Sequence, residues 1–440
     1  MAKPNVIVDG VRGLSSPIEA AAAVEGEPSA RVIEVNFDGG GSGNLELKDH
    51  RSVVWADVLD NIRHSNQSVY VEIDPQTNII TEVLVPLSVK VGVITPLDND
   101  DVEVELTISQ AKHYLRRSNP DFQRLLDALK KAKDEDKDVL VTEALNTHDI
   151  IDLRPIPNPM APAEVITPPS VSEAPKLVPI SPQKAQELFD MVKSKTCCPA
   201  SAAAPCIPFL YPEDGCWGRA HEMCRLMIAA GSQPDKVWIY GNLKTPSANS
   251  PNCIVEWRWY VAPTVQVAGS GIQVIDPSLF NGPVTEVAWK GAQGDPSAAL
   301  VPTNASVFHR SFSGSVSYDD PAYTRTNQVL NNYRNQLKIR SVSPSGPPPY
   351  IKCLTTPAGV QWFGTIGPNS TARWYTWGWP AKWHVFWTIM PITHCPGGPQ
   401  LTWTVEMEMA NETQCTYWIT VKNLTGDPVR FEGRYDVLSK

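Results

Sequence analysis

The sequence predicts an α+β protein of several units, and three observations carry that prediction. Helix and strand patterns alternate twice in the N-terminal third. A cysteine-bearing helix followed by strands occupies the middle, and apolar–polar alternation runs through a tryptophan-rich end. At 440 residues the chain has room for roughly two to four domains.

Residues 31 to 157 hold an internal repeat. The segments "VWADVLDNIRHSNQSVYVEIDPQTNIITEVLVP" and "FQRLLDALKKAKDEDKDVLVTEALNTHDIIDLRPIP" share one order: amphipathic helix, polar stretch, strand, turn, strand. In the second copy Leu125, Leu126, Leu129 and Ala132 recur at helical spacing, and "VLVTEAL" with "DIIDLRP" reads as a hairpin. Residues 1–157 are therefore expected to form a duplicated α+β domain. It shows no chemistry of its own, and His64, His113 and His148, standing singly, read as surface or packing residues.

The stretch "PIPNPMAPAEVITPPSVSEAPKLVPISP" is too proline-rich for regular structure and makes 158–183 a linker. A second break, "SVSPSGPPPY" at 341–350, follows the helical segment "AYTRTNQVLNNYRNQL". The unit between them, 184–340, contains Cys216. The last unit, 351–440, carries Trp362, Trp374, Trp377, Trp379, Trp383, Trp387, Trp403 and Trp418, and its alternating "LTWTVEMEM" and "TYWITVKNL" predict an antiparallel β-sandwich.

A net charge of −9 and the lack of a basic run exclude a nucleic-acid partner, because phosphate affinity comes from clustered Lys and Arg. No window approaches the ~18 apolar residues of a membrane span, and "MAKPNVIVDGVRG" has no secretory apolar core. The cysteines do not form a paired CxxC array, so neither a metal nor a cofactor is expected; disulfides fit if the compartment is oxidising.

"YPEDG" precedes Cys216, so Asp214 is expected to cap a helix through "CWGRAHEMCRLMIAAG" that ends at Gly231. Cys216 then sits in the first turn, where unpaired N–H groups and the helix dipole favour a thiolate. The competing reading is a buried structural thiol. "KVWIYGNL" and "CIVEWRWYVAPTVQV" follow as strands, and "IQVIDPSLF" ends a strand at Asp276. Helix with Cys, then strands, then Asp is the order in which papain-like and transglutaminase-like hydrolases deliver nucleophile, base and orienting acid. The sequence has no histidine between His221 and His309.

The blocks "PCIPFLYPEDGCWGRAHEM", "VWIYGNLK", "CIVEWRWYVAP" and "VIDPSLFNGPVTEVAW" resemble, in order, the bacterial protein-glutaminases, secreted cysteine hydrolases that deamidate glutamine side chains of intact proteins. The resemblance implies a papain/transglutaminase-like domain with Cys216 as nucleophile and Asp276 as the acid orienting the base. It puts the family's histidine at Tyr260, in "WRWYVAP" where the pattern is W-x-Y-H-V-A. Tyrosine, with a pKa near 10, is a poor base at neutral pH, so either an inactivated variant or altered chemistry is implied. His221, about 140° around the helix from Cys216, points elsewhere, and His309 lies beyond most of the matching blocks.

If active, such a site forms a thioester on Cys216 and releases ammonia. Water then yields glutamate, whereas a lysine amine would yield a cross-link. Trp217, Trp257 and Trp259 are candidate walls of the substrate cleft, competing with a core role. The expected partner is a protein or peptide with an exposed glutamine, and the aromatic C-terminal unit could add a glycan or surface partner. The rival reading is a catalytically dead binding protein or effector. Because related glutaminases carry an inhibitory pro-segment, residues 1 to about 180 read as a mask or a targeting module. The family's secretion makes an extracellular or delivered protein the expectation.

Overall fold

The N-terminal repeat is a duplicated βββαββ unit. Its first copy comprises β1 (Asn5–Leu14), β2 (Val32–Phe37), β3 (Ser42–Glu46), α1 (His50–Ser65), β4 (Ser68–Ile73) and β5 (Ile80–Leu84). The second comprises β6 (Leu87–Pro96), β7 (Val102–Leu106), β8 (His113–Leu115), α2 (Phe122–Asp134), β9 (Asp138–Glu143) and β10 (Ile150–Pro155). The sheet orders, β3-β2-β1-β4-β5 and β8-β7-β6-β9-β10, trace the same path. Sequence periodicity had caught only the helix and the last two strands of each copy. The strands ahead of each helix escaped because β2, β3, β7 and β8 are short and the first pair is joined through the glycine-rich "DGGGSG". Both helices bury one stripe, Trp55, Val58, Leu59 and Ile62 in α1 and Phe122, Leu125, Leu129 and Ala132 in α2.

This computed structural model describes residues 4–15, 32–65, 67–156, 165–166, 178–199, 202–311, 316–353, 358–393 and 397–439. Most of the proline-rich stretch thus lies outside the described residues, apart from β11 (Val165–Ile166). The middle of the chain then runs α3 (Pro182–Lys193), α4 (Cys216–Ala229), β12 (Asp235–Pro246), β13 (Ile254–Val267), β14 (Gly271–Val274), β15 (Val284–Thr285), α5 (Glu286–Ala292), β16 (Ala299–Asn304), β17 (Val307–Arg310), β18 (Ser317–Asp319) and α6 (Thr324–Ser341). α3 starts where Ser181 Oγ accepts from Lys184 N at 3.1 Å and Pro182 opens the first turn. The main sheet, β15-β14-β13-β12-β16, is antiparallel, with β13 at its centre and buried at nearly every position from Val255 to Val265. Strand β17 joins β18 and β11 in a separate small sheet.

The two copies of the repeat feed different cores. Side chains of the first copy pack together and against Ile339 of α6. Those of the second copy, Leu87 through Leu153, share one core with the middle of the chain. That shared core brings the second copy against α4 and β13.

The C-terminal strands β19 (Ala358–Ile366), β20 (Thr371–Pro380), β21 (His384–Pro391), β22 (Leu401–Met409), β23 (Gln414–Asn423) and β24 (Val429–Ser439) form two antiparallel sheets, β19-β24-β21 and β20-β23-β22. Both sheets contribute to one core that includes Trp379, Trp387, Tyr417 and Phe431. Trp379 and Trp387 are the buried tryptophans there. Tyr375 stacks between Trp377 and Trp418 on the outer face, and Trp403 is exposed.

Among the described residues two disulfides form, Cys197–Cys206 and Cys253–Cys353. The second closes a loop of sequence separation 100, tying the start of β13 to the chain beyond α6. Replacing both of its cysteines by serine is expected to lower unfolding free energy by about 3 kcal/mol, chiefly through the freer unfolded chain. Urea titration of the two forms measures this. No helix among the described residues is long and apolar enough to cross a membrane.

Candidate active site

α4 begins at Cys216, as its sequence predicts, but Asp214 does not cap it. Gly215 is the boundary residue, at φ +80°, and makes no side-chain cap bond. A Cβ at this position would collide with the Tyr333 ring, so only glycine fits. Asp214 is instead a buried acceptor. Its Oδ1 takes Gly215 N at 2.9 Å and Gln110 N at 3.1 Å, while Oδ2 takes Ser109 Oγ at 2.5 Å and Tyr333 Oη at 2.6 Å.

Cys216 is a free thiol and is buried, 1% exposed. The thiolate expected from the helix terminus is not favoured in this state. Burial pushes the thiol well above its ordinary value, against the opposing pull of Arg219 and of Val261 N–H. Residues 109–111 of the second repeat copy reach the start of this helix. Ala111 bridges antiparallel to Trp257, and Arg258 N donates to Gln110 O at 3.0 Å, so the segment lies beside β13 as a short added strand. The Gln110 side chain turns inward: its Oε1 accepts from Cys216 N at 2.9 Å, and its Nε2 donates to Pro212 O at 3.4 Å. A carboxamide thus has its carbonyl oxygen on the first helical N–H, where an oxyanion would be stabilised.

Tyr260 and Asp276 meet. Tyr260 Oη donates to Asp276 Oδ1 at 3.2 Å, and the ring stacks on Trp257 at 4.4 Å. Asp276, just past β14, also accepts from Ser278 N at 3.1 Å and from Trp289 Nε1 at 2.9 Å. Burial raises the Asp276 carboxyl above its usual range, with Trp289 and Arg219 opposing. Burial and then the Asp276 charge hold the Tyr260 phenol well above its ordinary value, so it stays protonated.

Of the three candidate wall tryptophans, Trp257 lies against Tyr260, with its Nε1 donating to Glu213 O at 2.9 Å. Trp217 and Trp259 pack on each other and around His309, as core residues do. The two histidines that flank these elements in sequence have other partners. His221 Nδ1 pairs with Lys236 Nζ at 2.8 Å, and burial pushes His221 down to about 3. His309 sits among Trp217, Trp259 and Tyr318, likewise pushed to about 3.

Sequence reasoning missed Ser109, Gln110 and Arg219. Arg219 follows Cys216 by one turn and is buried, its Nη1 donating to Tyr211 O at 2.9 Å and Asp214 O at 2.5 Å. That spacing was the available signal, but a helical arginine is ordinarily a surface residue.

His113 and His148 also differ from expectation. Both turn a nitrogen to Glu143, and His113 Nε2 reaches Ser109 Oγ at 2.8 Å. The His113, Glu143 and His148 ligand atoms lie within 4.8 Å of one another, the one group among the described residues that could hold a metal. Without an ion they form a clasp behind residues 109–113. Burial alone would raise Glu143 and lower His148, but their mutual attraction, with His113, wins: Glu143 falls below its ordinary value and His148 rises above its own.

The lowered carboxyl stabilises above the ordinary glutamate value of 4.5 and loses this as pH falls through its folded value. The raised imidazole stabilises below 6.5 and loses this as pH rises through its folded value. Asp214 and Glu213 face His148 and add to its rise. The protection of the residue 109–113 amides, meaning exchange relative to its intrinsic rate at each pH, is therefore expected to be greatest between pH 4.5 and 6.5 and to fall on both sides. His148→Ala should flatten the alkaline side, read by hydrogen exchange.

A glutaminase family model matches residues 185–293. The crystal structure of a protein-glutaminase is 35% identical over 36% of this chain and 89% of its own, with TM-score 0.32. The chain belongs to the protein-glutaminase family. The protein-glutaminase of Chryseobacterium proteolyticum, solved by NMR, is 34% identical over 39% of this chain and 94% of that one, TM-score 0.30. A pro-protein-glutaminase crystal structure is 26% identical over 61% of this chain and 99% of its own, TM-score 0.44. No curated protein matches. This chain thus presents a buried cysteine whose backbone N–H is taken by a glutamine side chain, and a buried phenol hydrogen-bonded to a buried carboxyl.

Proposed function

We propose that the chain is a masked amidohydrolase scaffold for protein glutamine side chains. In this reading Cys216 is the nucleophile, Asp276 the orienting acid, and Tyr260 stands where the base belongs. The observation that carries it is Gln110: a glutamine carboxamide rests with its oxygen on the amide N–H of Cys216. That is where a substrate amide must sit for the sulfur to attack its carbon and the helix terminus to hold the developing oxyanion.

Residues 1–157 act as the mask, 158–183 as a cleavable linker, 184–340 as the catalytic unit, and 351–440, beyond the break at 341–350, as an accessory β unit. The buried Ser109–Asp214 and Gln110–Cys216 contacts support the masking role. The two disulfides fit an extracellular setting. A glycan or surface partner of the accessory unit would use the outer row of Tyr375, Trp377 and Trp418, crossed by Arg373 at 4.8 Å from Trp418.

A second reading, a binding protein without turnover, is favoured by one feature. The phenol and the thiol are both held in their protonated forms. Ammonia release from casein by the native chain and by Tyr260→His, each before and after proteolysis between residues 156 and 178, separates the two. Release by the cleaved histidine form supports the scaffold, and none from either form supports the binder.

A further inference from the structure

Gln110 is more than a plug of convenient shape. A mask needs only bulk over the sulfur, yet this one offers the functional group that the family hydrolyses, oriented carbonyl-first onto Cys216 N at 2.9 Å. Its backbone is fixed on both sides, N–H to Asp214 Oδ1 at 3.1 Å and C=O from Arg258 N at 3.0 Å. Its leaving nitrogen already donates to Pro212 O. Gln110 is wholly buried, so the contact is a seated one. We propose that Gln110 is a built-in substrate held uncut by Tyr260: with a competent base at position 260 the chain deamidates its own mask at this residue, and the resulting charge expels the mask. The proposal rests on the amidohydrolase reading above.

The chemistry balances without any added reagent except water. The Cys216 sulfur bonds to the Gln110 side-chain carbonyl carbon, and the π electrons move onto Oε1, held by Cys216 N–H. Collapse breaks the carbon–nitrogen bond, and the thiol proton, passed through the group at 260, leaves with nitrogen as ammonia. Water adds to the thioester, the carbon–sulfur bond breaks, and sulfur regains a proton. The new acid gives its proton to ammonia, leaving a carboxylate and ammonium.

The product cannot remain where the amide sat. A donor to Pro212 O becomes an acceptor facing an acceptor, and a charge appears on a wholly buried side chain whose backbone N–H is held by the Asp214 carboxylate. Tyr260 keeps the native chain from cutting this amide, because a neutral phenol cannot carry the thiol proton to nitrogen at a useful rate. The tyrosine is thus what lets a glutamine serve as the inhibitory side chain.

The test is the full-length chain with Tyr260→His, followed by peptide mass analysis of residue 110 over time. The expected result is conversion of the amide to the acid at a rate independent of protein concentration, absent when Cys216→Ser is added. Gln110→Glu in the native background should mimic the product, raising the rate of Cys216 alkylation by iodoacetamide at least tenfold. Conversion that persists with Cys216→Ser overturns the proposal, since it would be spontaneous. So does an intact Gln110 in the histidine form. If that form, cleaved at the linker, still releases ammonia from casein, only the self-substrate idea falls; if it releases none, the amidohydrolase reading falls with it. Unchanged alkylation of Gln110→Glu overturns the charge-expulsion step.

Discussion

Tyr260→His, cleaved between residues 156 and 178, is expected to release ammonia from casein at least ~100-fold faster than the cleaved native chain, because general acid–base assistance is worth about a hundred- to ten-thousandfold. The position is already equipped for it. Asp276 presents Oδ1 to the group at 260 at 3.2 Å while Trp289 and Ser278 fix the carboxyl, so an imidazole there would find its orienting acid in place. Trp257, stacked on the present ring at 4.4 Å, and Trp289 at 5.9 Å wall the site. An imidazole is smaller than a phenol, so the slack it leaves places the gain toward the lower end of that range. Adding Asp276→Asn should remove most of the gain by leaving the ring unoriented. Before cleavage, turnover of external protein stays low because Gln110 occupies the site. The measurement is ammonia release against time; a cleaved histidine form no faster than the tyrosine form sinks the assignment of 260 as the base position.

The parts of this site legible in the sequence were those written locally. The helix beginning at Cys216, the strands β12 and β13 and the strand end at Asp276 each leave a period or a turn signal within a dozen residues. The departure at Tyr260 was legible only against the family pattern. What stayed hidden was whatever depends on distant chain. Gln110 meets Cys216 across a separation of 106 residues, and the segment "TISQAKHYL" carries no pattern that marks it as an insertion into a cleft. The burial of Cys216, and hence its raised rather than lowered pKa, likewise comes from packing between distant parts of the chain. Asp214 looked like a cap because an acid before a helix commonly is one. The left-handed Gly215 and the donors arriving from Ser109, Gln110 and Tyr333 turn its carboxylate elsewhere. The single histidines of the repeat likewise became a clasp only when β8 and the turn after β9 were brought together around Glu143.

Asp214 is where removal of one side chain should cost the most stability. The carboxylate is 1% exposed and accepts four bonds, two from hydroxyls and two from backbone N–H groups. Asp214→Ala strands Tyr333 Oη and the two backbone donors in the interior, while Ser109 Oγ keeps His113 Nε2 within reach. Each buried unmatched donor costs about 1 to 3 kcal/mol, and the losses overlap because the site relaxes, so a net loss of about 4 kcal/mol is expected. Tyr333→Phe removes one donor and leaves the carboxylate with three, for a loss of about 1 kcal/mol. Asp214→Asn falls between, since both hydroxyls can rotate to accept from the new amide while the backbone donors keep an oxygen.

These three variants also differ at the mask. Ser109 and Gln110 are held to the helix entrance through Asp214, so Asp214→Ala frees residues 109–111 and exposes Cys216, whereas Tyr333→Phe leaves the segment seated. Urea midpoints give the stability order, and the rate of iodoacetamide alkylation at Cys216, measured well below the unfolding transition, gives the exposure. If Asp214→Ala lost stability without faster alkylation, the carboxylate would be a structural acceptor alone and the mask would be held by Gln110 and the β13 pairing.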